Sequence, residues 1–243
     1  MVAFRFSSPS RSLLAPAALL LLALSSSFTG RLLAADGDLD LTFGNGAGVR
    51  IVNFDLGGSL NDSCSGIVAA ADGALFAVGY SESEFVDLDW TVARITEGAA
   101  PLKTRLYFDL GGSHDDHAWA VALDRSGRLL VAGDATNSDR TELRLCRLLP
   151  SDLAKDPTFN SGNCAAYDLG PQTGFAPVAL AETPELGVLV AGTLATFGPD
   201  FDWFVVKFTS TGVIDSSFAT SGVSVLPWNL VPSGFDHLSG IAV

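Results

Sequence analysis

Positive charge is scarce in this chain: 14 Lys and Arg stand against 27 Asp and Glu in 243 residues, a formal net charge of −13. A field of that sign repels phosphate backbones, and no Lys/Arg stripe overrides it, so nucleic acid is not an expected partner. Solubility alone accounts for such a charge; the partners it would favour are divalent cations or basic surfaces. Cysteine is scarce too. Cys64, Cys146 and Cys164 lack the CxxC or Cys/His spacing of a metal site and are too few for a disulfide framework. The odd count leaves at least one thiol free or paired between chains. Cys146 and Cys164 are the closest candidate pair, with burial as free thiols the alternative. No G-x-S-x-G elbow, phosphate loop or H-E-x-x-H sequence is present, so nucleophilic catalysis has no visible candidate. Beyond residue 35 no stretch keeps a helical period over three turns, and no apolar run approaches the ~20 residues of a membrane-spanning helix.

The one long apolar run lies at the start. Arg5 and Arg11 precede Leu13 to Leu24, polar Ser25 to Thr29 follow, and Ala34-Ala35 offer a small-residue cleavage site. This is the pattern of a secretory signal peptide over residues 1–35; a retained membrane anchor is the alternative. No cysteine stands beside the cleavage site to accept a lipid. Residues 1–35 contain three arginines and no acid, so cleavage takes the charge from −13 to −16. The mature chain is expected to be soluble and exported, to the periplasm, cell surface or medium, with no integral membrane segment.

What the chain has in abundance is itself, repeated. Three lines begin at Phe54 (FDLGGSLNDS), Phe108 (FDLGGSHDDH) and Tyr167 (YDLGPQTGFA), with offsets of 54 and 59 residues, and a fourth begins 61 residues on at Trp228 (WNLVPSGFDH). A second anchor ends at Tyr80, Asp134 and Thr193, with Gly79, Gly133 and Gly192 just before. A third is DWTVARI from Asp89, ELRLCRL from Glu142 and DWFVVKF from Asp202. A fourth, GDLDLTFGNG from Gly37, KDPTFNSG from Lys155 and GVIDSSFATSG from Gly212, joins copies and is missing around Glu97 to Leu102. Self-similarity at this period marks solenoids or propellers. In the first copy four β-like runs stand out, Val49 to Asp55, Ser65 to Ala70, Ala74 to Tyr80 and Trp90 to Ile95, with Asp72-Gly73 as a hairpin turn. The spacing predicts an all-β, β-propeller-like array of four-stranded blades, with repeats at about 36–101, 102–160 and 161–220 and a partial fourth at 221–243. A sandwich or open solenoid is the alternative. Val243 falls inside an expected strand, and three blades and a fraction are below the roughly four to eight of a closed ring. A truncated segment of a larger repeat protein and a partial ring completed by another chain both follow as readings, and either leaves an edge open to self-association.

The order G-x-[LI]-D-x-[ST]-F, then D-x-G/G-x-L-x-x-x-G, then D-W-x-V-x-[RK] resembles the delta-60 repeat family of bacterial exported proteins. The matches are Gly212-Val213-Ile214-Asp215-Ser216-Ser217-Phe218, Asp72-Gly73-Ala74-Leu75 with Gly79, and Asp202-Trp203 with Lys207. The resemblance covers nearly all of residues 36–243 and implies a propeller-like architecture and an exported location, with no common activity. Two departures are the missing linker near Ala99 and Pro184-Glu185-Leu186-Gly187 in place of the Asp-Gly turn.

The sharpest chemical candidate is the loop carrying His114, Asp116 and His117, with His237 and Asp236 at equivalent positions of the fourth copy. Imidazole and carboxylate together can hold a divalent metal or supply a general base. The plainer reading has Asp62, Asp116 and Asp236 cap the turn before the next strand. Glu82, Glu84, Asp87 and Asp89, with Asp200 and Asp202 at the counterpart, could take calcium or another divalent metal but lack the spacing of a calcium loop. Arg94, Arg147 and Lys207 share one repeat position; they either surround a channel or pair with acids such as Asp55, Asp109 or Asp168. Trp90 and Trp203 read as packing anchors. The leading expectation is therefore a non-enzymatic exported binding module of a protein or cell-surface ligand without a cofactor, with a metal-dependent hydrolase or lactonase at His114, Asp116 and His117 as the rival.

Overall fold

A computed structural model describes residues 38–84, 87–108, 110, 115–137, 141–169, 174–195, 201–227 and 237–243. Residues 1–35, expected as a signal peptide, and His114, Asp109, Asp200 and Asp236 lie outside them. Among the described residues, twelve strands form three antiparallel four-stranded sheets, each a simple meander. The first sheet contains β1 (Gly57–Ala69), β2 (Leu75–Ser83), β3 (Leu88–Ile95) and β4 (Leu102–Leu106). The middle sheet contains β5 (His117–Leu123), β6 (Leu129–Thr136), β7 (Thr141–Leu148) and β8 (Ala165–Asp168). The third contains β9 (Gly174–Glu182), β10 (Val188–Ala195), β11 (Phe201–Phe208) and β12 (Val223–Leu226).

The sheets stack face to face, and the period-2 alternation of their strands decides which side chains meet. Phe76, Val78, Trp90 and Val92 of the first sheet pack on Leu129, Val131, Cys146 and Leu148 of the middle one. Leu130, Ala132, Leu143 and Leu145, on the other face of the middle sheet, pack on Val188, Val190, Phe204 and Val206 of the third. Covered on both faces, β6 is buried at every position but its last, whereas β11 alternates half-buried with buried. Gly73 and Gly127 take the positive φ of their hairpin turns. Their counterpart in the third sheet is Leu186, at φ 66°, so the Pro184–Gly187 departure keeps the turn geometry with a strained residue.

The repeat is therefore four-stranded, but its sheets are set one strand later than the repeat boundaries. The run Val49 to Asp55 forms no strand. Its counterparts are outer strands that pair with the third strand of the sheet before them, β4 on β3 and β8 on β7, and no such strand precedes residue 49 among the described residues. Residues 237–243, which include the strand position expected at Val243, are likewise without strand structure. Their counterpart β5 pairs with β6 through the following hairpin. Cys146 and Cys164 form a disulfide, and Cys64 is a free, exposed thiol.

Candidate functional site

The candidate loop enters β5 where the first and middle sheets meet. Asp116 is 3% exposed; its Oδ2 accepts the Phe108 N–H at 3.0 Å and its Oδ1 the Thr136 N–H at 3.2 Å. Asp62 repeats the first contact, accepting the Phe54 N–H at 2.9 Å across the same eight residues. In both copies an aspartate thus latches the aromatic residue that opens the repeat. Burial drives the Asp116 carboxyl up to about 7, against its two amide bonds and with Asp134 and Asp89 adding to the rise.

His117, the next residue on the strand, turns to other partners. Its Nδ1 lies 3.2 Å from Asp134 Oδ2, and its ring meets Tyr80 edge-on at 4.6 Å and stacks with Trp119 at 5.2 Å. Trp119 Nε1 and Thr136 Oγ1 also donate to the Asp134 carboxylate. Burial alone would lower the His117 pKa, but the bond to Asp134 and the charges of Asp134, Asp115 and Asp116 outweigh it and raise the value. A carboxylate–imidazole pair is the arrangement that orients a general base. Here the ring packs against Trp119 of its own strand and Tyr80 of the first sheet, so the imidazole, held by Asp134, bridges the two sheets. Asp116 and His117 therefore do not converge on one point. Asp134, Trp119 and Tyr80 complete this cluster; the signal in the sequence was the single repeat position that reads Tyr80, Asp134 and Thr193.

The acidic run is also divided among separate partners. Glu82 accepts from Asn61 Nδ2 at 2.9 Å, Asp87 from Ser83 Oγ, and buried Asp89 is 2.5 Å from Arg105. Burial raises the Asp89 pKa, with Arg105 opposing. Among the described residues no group of three His, Cys, Asp or Glu side chains is arranged to hold a metal.

The repeated cations are paired, with other acids than the F/Y-D-L aspartates. Arg147 Nε is 2.8 Å from Asp156, and Lys207 Nζ is 3.1 Å from Asp215, both from the D-x-[ST]-F linkers. That motif forms an Asx turn, Thr158 N–H to Asp156 at 2.8 Å and Ser217 N–H to Asp215 at 3.1 Å, which presents the second carboxylate oxygen to the cation. Where the linker is missing, Arg94 reaches instead to Asp72 of the hairpin turn at 3.5 Å. Arg147 further donates to Ser210 O at 2.8 Å and lies over the Phe159 ring, so the pair clamps the middle sheet to the third. Burial opposes ionisation of Asp156, but bonds from Thr158 and Arg147 prevail and hold it down at about 2.

With these contacts in place, the architecture defines an all-β repeat protein built from propeller-type sheets. A family model described as a domain of unknown function (DUF5122) beta-propeller matches residues 125–159, from the β5–β6 turn to the linker phenylalanine. No curated protein matches the chain.

Proposed function

We propose that this chain is an exported, non-enzymatic β-propeller-like scaffold of the delta-60 repeat kind. It serves as a periplasmic or cell-surface module that displays loops to a protein or cell-surface ligand. The observation that supports it best is the fate of the polar side chains a catalytic reading needs. Asp116 serves backbone amides, His117 locks to Asp134, and each repeated cation has an acid of its own. Export is supported by the charge and hydrophobicity pattern of residues 1–35, and the Cys146–Cys164 disulfide suits an oxidising compartment.

Thermal unfolding of the purified chain in EDTA, and then in excess Ca, Zn or Mn, separates this reading from the hydrolase. The scaffold gives one melting temperature throughout. A metal-dependent rise reports preferential binding to the folded state and would replace the scaffold with a metal site at His114, Asp116 and His117. Export is tested by the mass of the protein recovered from the periplasm or medium of a bacterial host. Cleavage after Ala35 is expected, and an intact N-terminus on a cytoplasmic product sinks it.

A further inference from the structure

The face of the first sheet turned away from the middle sheet has smaller side chains than its repeat demands. It presents Ala77, Thr91, Ala93 and Ile95 where the middle sheet has Val131, Arg144, Cys146 and Leu148 and the third has Val190, Phe204, Val206 and Phe208. Val131, Cys146 and Leu148, like all four of the third sheet, are buried in the cores between sheets. On the first sheet the cover is the chain itself. Val49 to Asp55, which forms no strand, crosses this face as a strap, with Arg50, Val52 and Phe54 half-buried against it and Val49, Ile51 and Asn53 exposed. Three bonds tether the strap: Phe54 N–H to Asp62 at 2.9 Å, Lys103 Nζ to Asn53 O at 2.6 Å and Arg50 Nη2 to Ala99 O at 3.0 Å. Ala93 and Ile95 are buried, yet they belong to neither inter-sheet core.

Small side chains beneath a strap leave space. A pocket of about 290 Å³ lies there, with Val52, Phe54, Ile67, Ala77, Ala93 and Ile95 as its apolar walls. Its two ends differ in charge. Arg50 is bonded at the β3–β4 turn, the end where Leu75 pairs with Ile95, whereas Asp62 pairs with Ser81, six residues further along β2 and roughly 20 Å away. The Asp62 carboxylate is fully engaged, one oxygen with the Phe54 N–H and the other with the Ser81 hydroxyl. The Arg50 guanidinium is not. Arg94, Arg105, Arg125, Arg128, Arg144 and Arg147 each lie against an acid, while among the described residues Arg50 gives one N–H to a carbonyl and has no acid beside it. In a chain of net charge −13, an arginine without a counter-charge at one end of an apolar pocket, with donors to spare, selects an anion.

We infer that this pocket binds a small monocarboxylic acid with an apolar body, its carboxylate on the Arg50 guanidinium and its body over Ala77 and Ala93. The planar fork of the guanidinium matches a carboxylate, and Asp62 at the far end disfavours the reversed orientation. A cavity of about 150 Å³ holds benzene, so one about twice as large suits a body of about ten to twelve carbons. This ligand is a free small molecule beneath the strap, distinct from the macromolecular ligand assigned to the loops, and neither requires the other.

The test uses the full chain at neutral pH with phenylbutyrate as the probe and phenylbutanol, the same skeleton without the charge, as the control. Cys64 lines the pocket and is the free thiol, so its alkylation rate by a maleimide reports occupancy. Phenylbutyrate is expected to slow alkylation with a Kd of about 1 mM, as suits so small a ligand, and the alcohol to act at least about tenfold more weakly for want of the charge-assisted bond. Arg50→Gln should bring the acid down to the level of the alcohol. Ala77→Val together with Ala93→Val, which gives the first sheet the valines of the third, should abolish protection by either probe while the circular dichroism melt stays cooperative. No protection by the acid at about twenty times the expected Kd, equal protection by the alcohol, or full protection retained in Arg50→Gln or in the folded double variant overturns the proposal. Should the double variant fail to fold, the comparison of acid with alcohol and the Arg50→Gln titration decide between the same outcomes.

Discussion

Leu186 bears a strain that glycine spares the other two hairpins. Its φ of 66° matches Gly73 and Gly127, and its side chain is 47% exposed, so little packing is lost with it. A left-handed residue with a Cβ costs roughly 1–2 kcal/mol, and the added chain entropy of glycine returns about half of that. Leu186→Gly is expected to raise stability by about 0.5–1 kcal/mol in urea unfolding. Asp116 sets a pH dependence of definite sign. Its folded pKa of about 7 is above the ordinary 3.8, so its contribution is full below pH 4 and is lost as pH rises towards 7. His117, also raised, acts in the same direction, while Asp156, held at about 2, loses its contribution as pH falls from 4 towards 2. Unfolding free energies at pH 4.5 and 7.5 should show the natural chain weakening across that interval, and Asp116→Asn should lessen the slope. That Asp62 and Asp116 would accept backbone N–H bonds was legible from residue type, but the partners were not: they lie eight residues back at Phe54 and Phe108, and for Asp116 also at Thr136, instead of in a local turn. The partner of Arg147 was not legible either: the F/Y-D-L aspartates recur as regularly as the linker aspartates, and only strand pairing shows that the linker folds back beside β7.

Among the elements, β3 bears most on the joint between the first two sheets. Trp90→Ala removes a fully buried indole together with its bond to Asp134, and a loss of about 3–5 kcal/mol is expected in urea unfolding. If the variant loses less than about 1 kcal/mol, the indole is not the anchor of that joint. Strand existence was readable from alternation, and β2 and β3 fall on the runs that start at Ala74 and Trp90. Strand membership was harder to see. A meander has the same sequence period wherever counting begins, so nothing in the spacing showed that β4, β8 and β12 close the sheet behind them. The failure of Val49 to Asp55 to form a strand has the same origin, since an edge strand exists only through its neighbour's hydrogen bonds.

At the scale of the whole molecule, the repeat itself was the most legible feature, because glycines and aspartates at fixed offsets mark turns whatever the core contains. The polar cluster at His117 was half legible. The histidine and Asp116 stood out by type, whereas Asp134 reaches His117 only through the β5–β6 pairing and Tyr80 only where the two sheets stack. The linker missing between β3 and β4 has one further consequence, for the order in which the molecule comes apart. Stacked repeats behave as a chain of nearest-neighbour couplings. The middle and third sheets share the Arg147–Asp156–Phe159 clamp and the bond from Asn160 N–H to Thr211 O, while the first sheet has no such linker to share. Amide hydrogen exchange should therefore divide the protein into two cooperative units, with the amides of β1 to β4 exchanging together and faster than those of β6, β7 and β10; the first sheet would open as a hinged leaf on a two-sheet body.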